Sequence, residues 1–485
     1  MLHRLPDEVL HLIFSLTVGP PNPRIVKERT AALLALSRLD RACARVAQQI
    51  LYADLDLDTS ASVTELCAAI DHSPGARRLA FRTRSMRLWG DTSPRYHIYM
   101  STAEALCARC PGVREMWLHL MKLDPLSLSI CKVPADLEVL HLNRVTLLQR
   151  TETRATASAS HDTYAWHLPH LHSLFLTHVT HVDSSNRFVP LYELLTPTSL
   201  PAVRTLSIAF STRDSDPDFG RLAPQLSHLY LRRLATKPLS NSRSTHARVS
   251  DTPVLPDLPV ADLRSCSAHL RHLAFDVEHK DDFDFLHELG APSTALDDPE
   301  ALTSALVQAQ DVVFLRSVRL ACPRSPTAAE RLLLSSDALA LDQLAVLTVS
   351  ALAPAPPANH PSAREWTIAR AQRDETLAAC EARGIALFEC KYRAGSERDI
   401  QDEAEERDEG DWLRICRIAD DEVELREFTV PEAEREEGEA REEEGTSAER
   451  AVQAAPEEEE EDDDDSLIVE LVPATPPGDA PPSPP

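Results

Sequence analysis

The chain has 485 residues, 43% apolar but only 5% aromatic, and a formal charge of −27, so any core must be built from leucine, valine and alanine. That charge is segregated: residues 1–396 hold 42 Lys/Arg against 43 Asp/Glu, whereas residues 397–485 hold 8 against 34. A near-neutral body with an acidic tail excludes the basic face of a general nucleic-acid binder, and the length implies two or three domains or one long repeat array. No apolar run approaches the ~20 residues of a membrane helix, so no membrane partner is expected. Asp7 and Glu8 stand where a secretory leader would be basic, so none is expected. The ten cysteines are scattered without a paired framework, which implies reduced thiols and a cytoplasmic or nuclear setting.

The first element is LPDEVLHLIFSLTV, residues 5–18. Pro6 suits the first turn of a helix, where its missing N–H has no partner to lose. Asp7 and Glu8 then meet the positive end of the helix dipole. Val9, Leu12, Ile13 and Leu16 form one apolar stripe by their i, i+3, i+4, i+7 spacing. Leu10 and Phe14 form a second stripe about 100° round the helix. Neighbouring helices can bury one stripe, and the other needs a cover from elsewhere. Residues 19–30, with three prolines, are expected to be loop at least in part. Residues 31–52 read as a second helical stretch, and ADLDLD, residues 53–58, alternates as a strand does.

LPDEVLHLIF, LLALSRLDRACARVA and LYADLDL together resemble the F-box. The first helix follows the family pattern of Leu-Pro, an acid pair and an apolar helix. The second departs from it, with Cys43 where tryptophan is common and Asp40 where cysteine is common. The resemblance implies docking on the small linker protein that ties F-box proteins to a cullin scaffold. Leu5, Pro6, Val9, Leu10, Ile13 and Phe14 are the implied linker-binding residues. The alternative is that they form the core of a capping helix.

From residue 76 a short pattern recurs, apolar-x-x-apolar-x-apolar. It appears at 76–81, 113–118, 137–142, 171–176, 203–208, 226–231, 270–275, 315–320 and 344–349, and IALFEC (385–390) closes the series. Each alternating end reads as a short strand with one buried face. Helical segments precede several of them, at 61–72, 101–110, 189–196, 300–310 and 364–384. Helix then strand with leucines at fixed offsets resembles leucine-rich repeats, whose units stack to share one core. The units start 37, 24, 34, 32, 23, 44, 45 and 29 residues apart. That is irregular beside the roughly 20–29 residues of a strict repeat, so inserted loops are expected at 146–166, 235–262 and 351–361. An ordinary α/β domain is the competing fold. The strand positions expected to face a ligand are Glu115, Trp117, Glu138, His141, His172 and Phe175, provided the register holds.

Catalytic signatures are missing. The sequence holds no HExxH, GxSxG, Walker or GxGxxG motif and only 12 glycines, so phosphate-cradling loops are not expected. Cys107 and Cys110 make a lone CxxC with no second pair for a four-ligand zinc site, and packing is the expected role. His167, His170, His172, His178 and His181 flank one repeat unit and are expected to face solvent. No catalytic residue, metal or cofactor is expected, and the chain reads as a non-enzyme.

In the tail, residues 411–430 show apolar alternation and could dock on the end of the array. Residues 431–465 carry 18 acids and 3 arginines, too polar to bury a core, so disorder is expected. DDDDSLIVELV, residues 462–472, resembles a SUMO-interaction motif, with Ile468, Val469 and Leu471 as its core. The resemblance implies SUMO as a partner, through an added strand on a sheet edge.

The expected class is α/β: a small all-α F-box at 1–57, an irregular leucine-rich-repeat-like solenoid at 58–396 and an acidic, largely disordered tail at 397–485. The implied function is a substrate adaptor of a cullin-based SCF ubiquitin ligase, with linker protein, cullin scaffold and a protein substrate as partners. Two readings stay open beside it: a nuclear acidic leucine-rich-repeat protein that binds histones or other basic proteins through its tail, and a GTPase activator built on repeats.

Overall fold

The structure, a computed structural model, describes residues 5–18, 26–90, 98, 100–123, 134, 136–149, 168–183, 191, 194–210, 219, 221–233, 269–276, 286, 315–321, 330–331, 333–335, 339–352, 355–357, 360, 362–390 and 411–421. It is mixed α/β and divides into two compact units, Met1–Leu270 and Arg271–Pro485. No helix among the described residues is long and apolar enough to cross a membrane.

The first unit opens with three helices, α1 (Asp7–Val18), α2 (Val26–Leu36) and α3 (Arg41–Ala53). Leu10, Phe14 and Val18 of α1 bury against Leu33 of α2 and Cys43, Val46, Ala47 and Ile50 of α3. The helical stretch expected over 31–52 is broken in two. Asp40 caps α3, accepting a hydrogen bond from the Cys43 amide at 2.8 Å. Its backbone is extended, so α2 cannot run on through it. Helix α2 in turn begins at Val26, inside the stretch expected to be loop.

Six further strands in the first unit extend one parallel sheet from β1 (Asp54–Leu57): β2 (Ser85–Trp89), β3 (Glu115–His119), β5 (Val139–Asn143), β7 (Ser173–Thr177), β9 (Thr205–Phe210) and β10 (His228–Arg233). Helices α4 (Ser60–His72) and α5 (Pro74–Ala80) lie between β1 and β2, and α6 (Met100–Cys107) lies between β2 and β3. The register places Leu55, Met86, Met116, Leu140, Leu174, Leu206 and Leu229 in one row across the sheet, all buried. Two residues on, Leu88, Leu118, Leu142, Leu176, Ile208 and Leu231 form a second buried row. From β3 onward these are the recurring apolar positions of the sequence pattern, and each contributes roughly 1.5–3 kcal/mol through burial.

One expected strand is a helix. Residues 76–81 largely fall in α5, because Ser73 caps that helix through its Oγ, which accepts from the Ala76 amide at 3.3 Å, and Pro74 starts it. The strand of that unit is SMRLW, β2.

A second, three-stranded parallel sheet was not expected: β4 (Lys122–Leu123), β6 (Thr146–Gln149) and β8 (Thr180–Asp183). Strand β6 occupies the start of the insert expected at 146–166. The chain turns from the large sheet into the small one at the residue directly after β3, β5 and β7. Leu120, Arg144 and His178 stand there with φ of 51, 53 and 52°. The left-handed region costs non-glycine residues roughly 1–2 kcal/mol. A main-chain ladder offsets that cost: the Leu120 amide donates to Asn143 O at 3.0 Å and the Arg144 amide to Thr177 O at 2.8 Å. Gly90, directly after β2, donates in the same way to His119 O at 2.7 Å.

The second unit holds four parallel strands, β11 (His272–Asp276), β12 (Ser317–Ala321), β13 (Val346–Ser350) and β14 (Ala386–Cys390). Helix α7 (Ala363–Arg383) runs into β14 through Gly384, whose φ of 66° lets the chain leave the helix. Arg373 of α7 is buried and forks onto Glu330 at 2.7 and 2.9 Å, and it also bonds Glu389 of β14. The face bearing Leu347, Val349 and Leu387 is buried. The alternate residues Val346, Ala386 and Phe388 point the other way and are covered by a helix at 411–420, called α8 here. The expected docking of this segment at the end of the array is seen, on the last two strands, but the segment lies there as a helix and not as an alternating strand.

Candidate partner-docking surfaces

The amino-terminal helices separate the two stripes of α1. Leu10 and Phe14 are fully buried in the three-helix core. Leu5, Val9, Leu12, Ile13 and Leu16 remain 37–71% exposed. Pro6 is exposed, and its carbonyl accepts the Leu10 amide at 3.1 Å. Of the implied linker-binding residues, Leu5, Pro6, Val9 and Ile13 therefore lie on the open side, while Leu10 and Phe14 hold the helix from beneath. Leu12 and Leu16 extend the open strip, and the i, i+3, i+4, i+7 spacing already placed them on it. Leu34 of α2 and Leu39, in the turn between α2 and α3, are further exposed leucines.

The module beneath the strip is tied down by polar contacts. Asp7 and Arg45 pair at 2.5 Å between α1 and α3, though both are largely exposed and such pairs are weak. The buried Arg29 of α2 reaches the Asp54 carbonyl at 3.5 Å and its carboxylate at 4.0 Å. Burial pushes the Cys43 thiol up, and Asp40 adds to the shift. That cysteine fills volume in the three-helix core.

Of the strand positions expected to meet a ligand, Glu115, Trp117, His141 and Phe175 share one face, whereas Glu138 and His172 directly precede β5 and β7 and fall out of phase with it. Trp117, His141 and Phe175 stand in register on β3, β5 and β7. Their exposure differs from expectation, because His141 and Phe175 are buried. Their rings stack, with centroids 3.4 Å apart for Trp117–His141 and 4.1 Å for His141–Phe175. Arg87 lies 5.2 Å from the Trp117 ring, and the Trp117 indole donates to Glu115. Burial first, then the Arg87 charge, holds the His141 ring well below its usual pKa and so neutral. Glu115 and Glu138 are half-buried and His172 is exposed.

The expected solvent-facing histidines divide similarly. His170 and His172 are exposed, His178 is half-buried and His181 is buried, so the last two correct the expectation. His181 lies in β8, which the sequence pattern did not show, and His178 in the turn that leads into it. His167 lies outside the described residues. Burial, with help from Arg144 and Arg232, lowers the His178 pKa to about 4.

Cys107 and Cys110 are both buried, with thiols pushed up to about 12 and about 11 by burial. They are protonated packing groups at neutral pH. Ile468, Val469 and Leu471, together with the acidic stretch 431–465, lie outside the described residues.

No family model matches the chain, and no curated protein is significantly similar to it.

Proposed function

We propose that the chain is a non-catalytic substrate adaptor of a cullin-based ubiquitin ligase. Its amino-terminal helices resemble an F-box that docks the linker protein, and its parallel-strand units, of leucine-rich-repeat type, hold a protein substrate. The observation that carries this reading is the strip Leu5, Val9, Leu12, Ile13 and Leu16, left exposed on a helix whose other stripe is already buried. A contiguous apolar strip on a soluble module is a protein-docking feature, and an amphipathic helix offering i, i+3, i+4, i+7 anchors is a recurring docking form. The adaptor contributes proximity rather than active-site groups: it brings a substrate lysine near a charged carrier held elsewhere.

The test is capture of purified linker protein by the full chain. Leu5→Ala with Pro6→Ala, and separately Leu12→Ala with Leu16→Ala, should abolish capture while leaving the thermal midpoint within a few degrees. Undiminished capture by both double variants would overturn the reading. The acidic balance of residues 397–485 favours a second reading, binding of histones or other basic proteins through the tail. Deletion of 422–485 separates the two: it should leave linker capture intact, and it should remove histone binding if the second reading holds.

A further inference from the structure

Helix α8 sits on its sheet as a ligand sits on a receptor. Its face is Trp412, Ile415, Cys416 and Ala419, spaced i, i+3, i+4, i+7, all buried, while Arg414 and Arg417 face outward and the partly exposed Asp420 lies at the edge of that face. Ile415, Ile418 and Ala419 pack on Val346, Ala386 and Phe388 of β13 and β14. Among the described residues no main-chain hydrogen bond ties α8 to the sheet. At 1.5 Å per residue it is about 15 Å long, too short to hold a helix alone in water. The sheet face therefore orders it through side chains.

That face also carries polar recognition groups. His272 of β11 is fully buried, with Nδ1 2.8 Å from Ser317 Oγ and Nε2 3.2 Å from an Asp420 carboxylate oxygen. The Arg316 guanidinium lies 3.8 Å from the other oxygen of Asp420. Ser317 Oγ is also 3.8 Å from Cys416 Sγ. A core built only for packing has no use for a histidine and an arginine that meet one carboxylate, with a serine held against the other nitrogen of the histidine ring. A site that reads the end of a helix does.

We propose that this face of β11–β14 is a docking site for one amphipathic helix of a partner protein, which takes the place of the chain's own residues 411–420. The partner helix carries a bulky aromatic residue, aliphatic or small residues three, four and seven positions on, and a carboxylate at the eighth. This deepens the adaptor reading by naming the substrate segment that the repeat face takes, and it rests on that reading.

The experiment uses the full chain and a fluorescein-labelled synthetic peptide of residues 409–422. Binding is read by anisotropy on the wild type and on the Ile415→Ala/Asp420→Ala variant, whose own helix is weakened. Hydrogen exchange of the β13 amides reports whether the sheet stays folded. The variant should bind the peptide at least about ten-fold tighter than the wild type, with β13 still protected, and a peptide carrying Asp420→Lys should bind about ten-fold weaker. No binding to the variant, equal binding to both proteins, equal binding of both peptides, or loss of β13 protection would each overturn the proposal, the last by making α8 an integral part of the sheet. Linker capture measured on the same variant keeps the two claims apart. Capture without peptide binding removes only the docking site, and peptide binding without capture removes only the adaptor reading.

Discussion

Phe14 and Leu16 lie two positions apart on one helix, the first 1% exposed and the second 71% exposed. Phe14→Ala should cost about 3–5 kcal/mol, because it opens a cavity in a core with few other large side chains. Leu16→Ala should change stability by less than about 0.5 kcal/mol. Urea midpoints of the two variants check this. The spacing of α1 made both stripes visible in the sequence, but not which of them faces inward. Both are equally apolar, and the choice is made by Val46 and Ile50 of α3. His178 gives a second expectation. Its pKa is about 4 in the fold against 6.5 ordinarily, so the unfolded chain takes up the proton first as pH falls. The histidine's contribution to stability should therefore be retained above about pH 6.5, decline toward pH 4 and level off below. His178→Asn keeps a residue that tolerates the left-handed turn but does not titrate there. Its urea midpoint should vary less between pH 6.5 and 4 than that of the wild type.

The turns between strands make the clearest demand on single glycines. A Cβ at Gly90 would stand 2.4 Å from the Leu120 carbonyl oxygen, whereas one at Gly75 in α5 meets nothing closer than the Ser73 hydroxyl at 3.6 Å. Gly90→Ala should cost about 1–3 kcal/mol through forced backbone movement. Gly75→Ala should stabilise by about 0.4–1 kcal/mol through lost freedom of the unfolded chain. Thermal melts of the pair would show opposite signs. The strands were readable because their leucines recur at the fixed offset of a buried, pleated row. The failures have equally local causes. ARRLAF fits a helix as well as a strand, and the Ser73-Pro74 start decides for the helix. The segment 411–420 was read by alternation, although Trp412, Ile415, Cys416 and Ala419 also fit a helical stripe. Strands β4, β6 and β8 are two to four residues long, below what periodicity can detect.

At the scale of the molecule, the sequence separates a near-neutral body from an acidic end, and its recurring pattern marks the parallel-strand units. It could not show which sheet faces are covered. Phe175 looks free in its own segment, and Phe388 is covered by residues that follow it only after a further stretch of chain. Burial of an outer strand face is set by remote segments, which local pattern does not record. The position of α8 has an electrostatic consequence. The chain leaves that helix at Asp421, and the sequence that follows is the richest in carboxylates, so a dense negative charge is covalently joined to the helix that covers this face. A newcomer with lysines or arginines flanking its apolar stripe is drawn toward that face over a range set by the Debye length, and an acidic one is turned away. Selection among competing ligands would then begin during approach, before any side chain touches Val346 or Phe388.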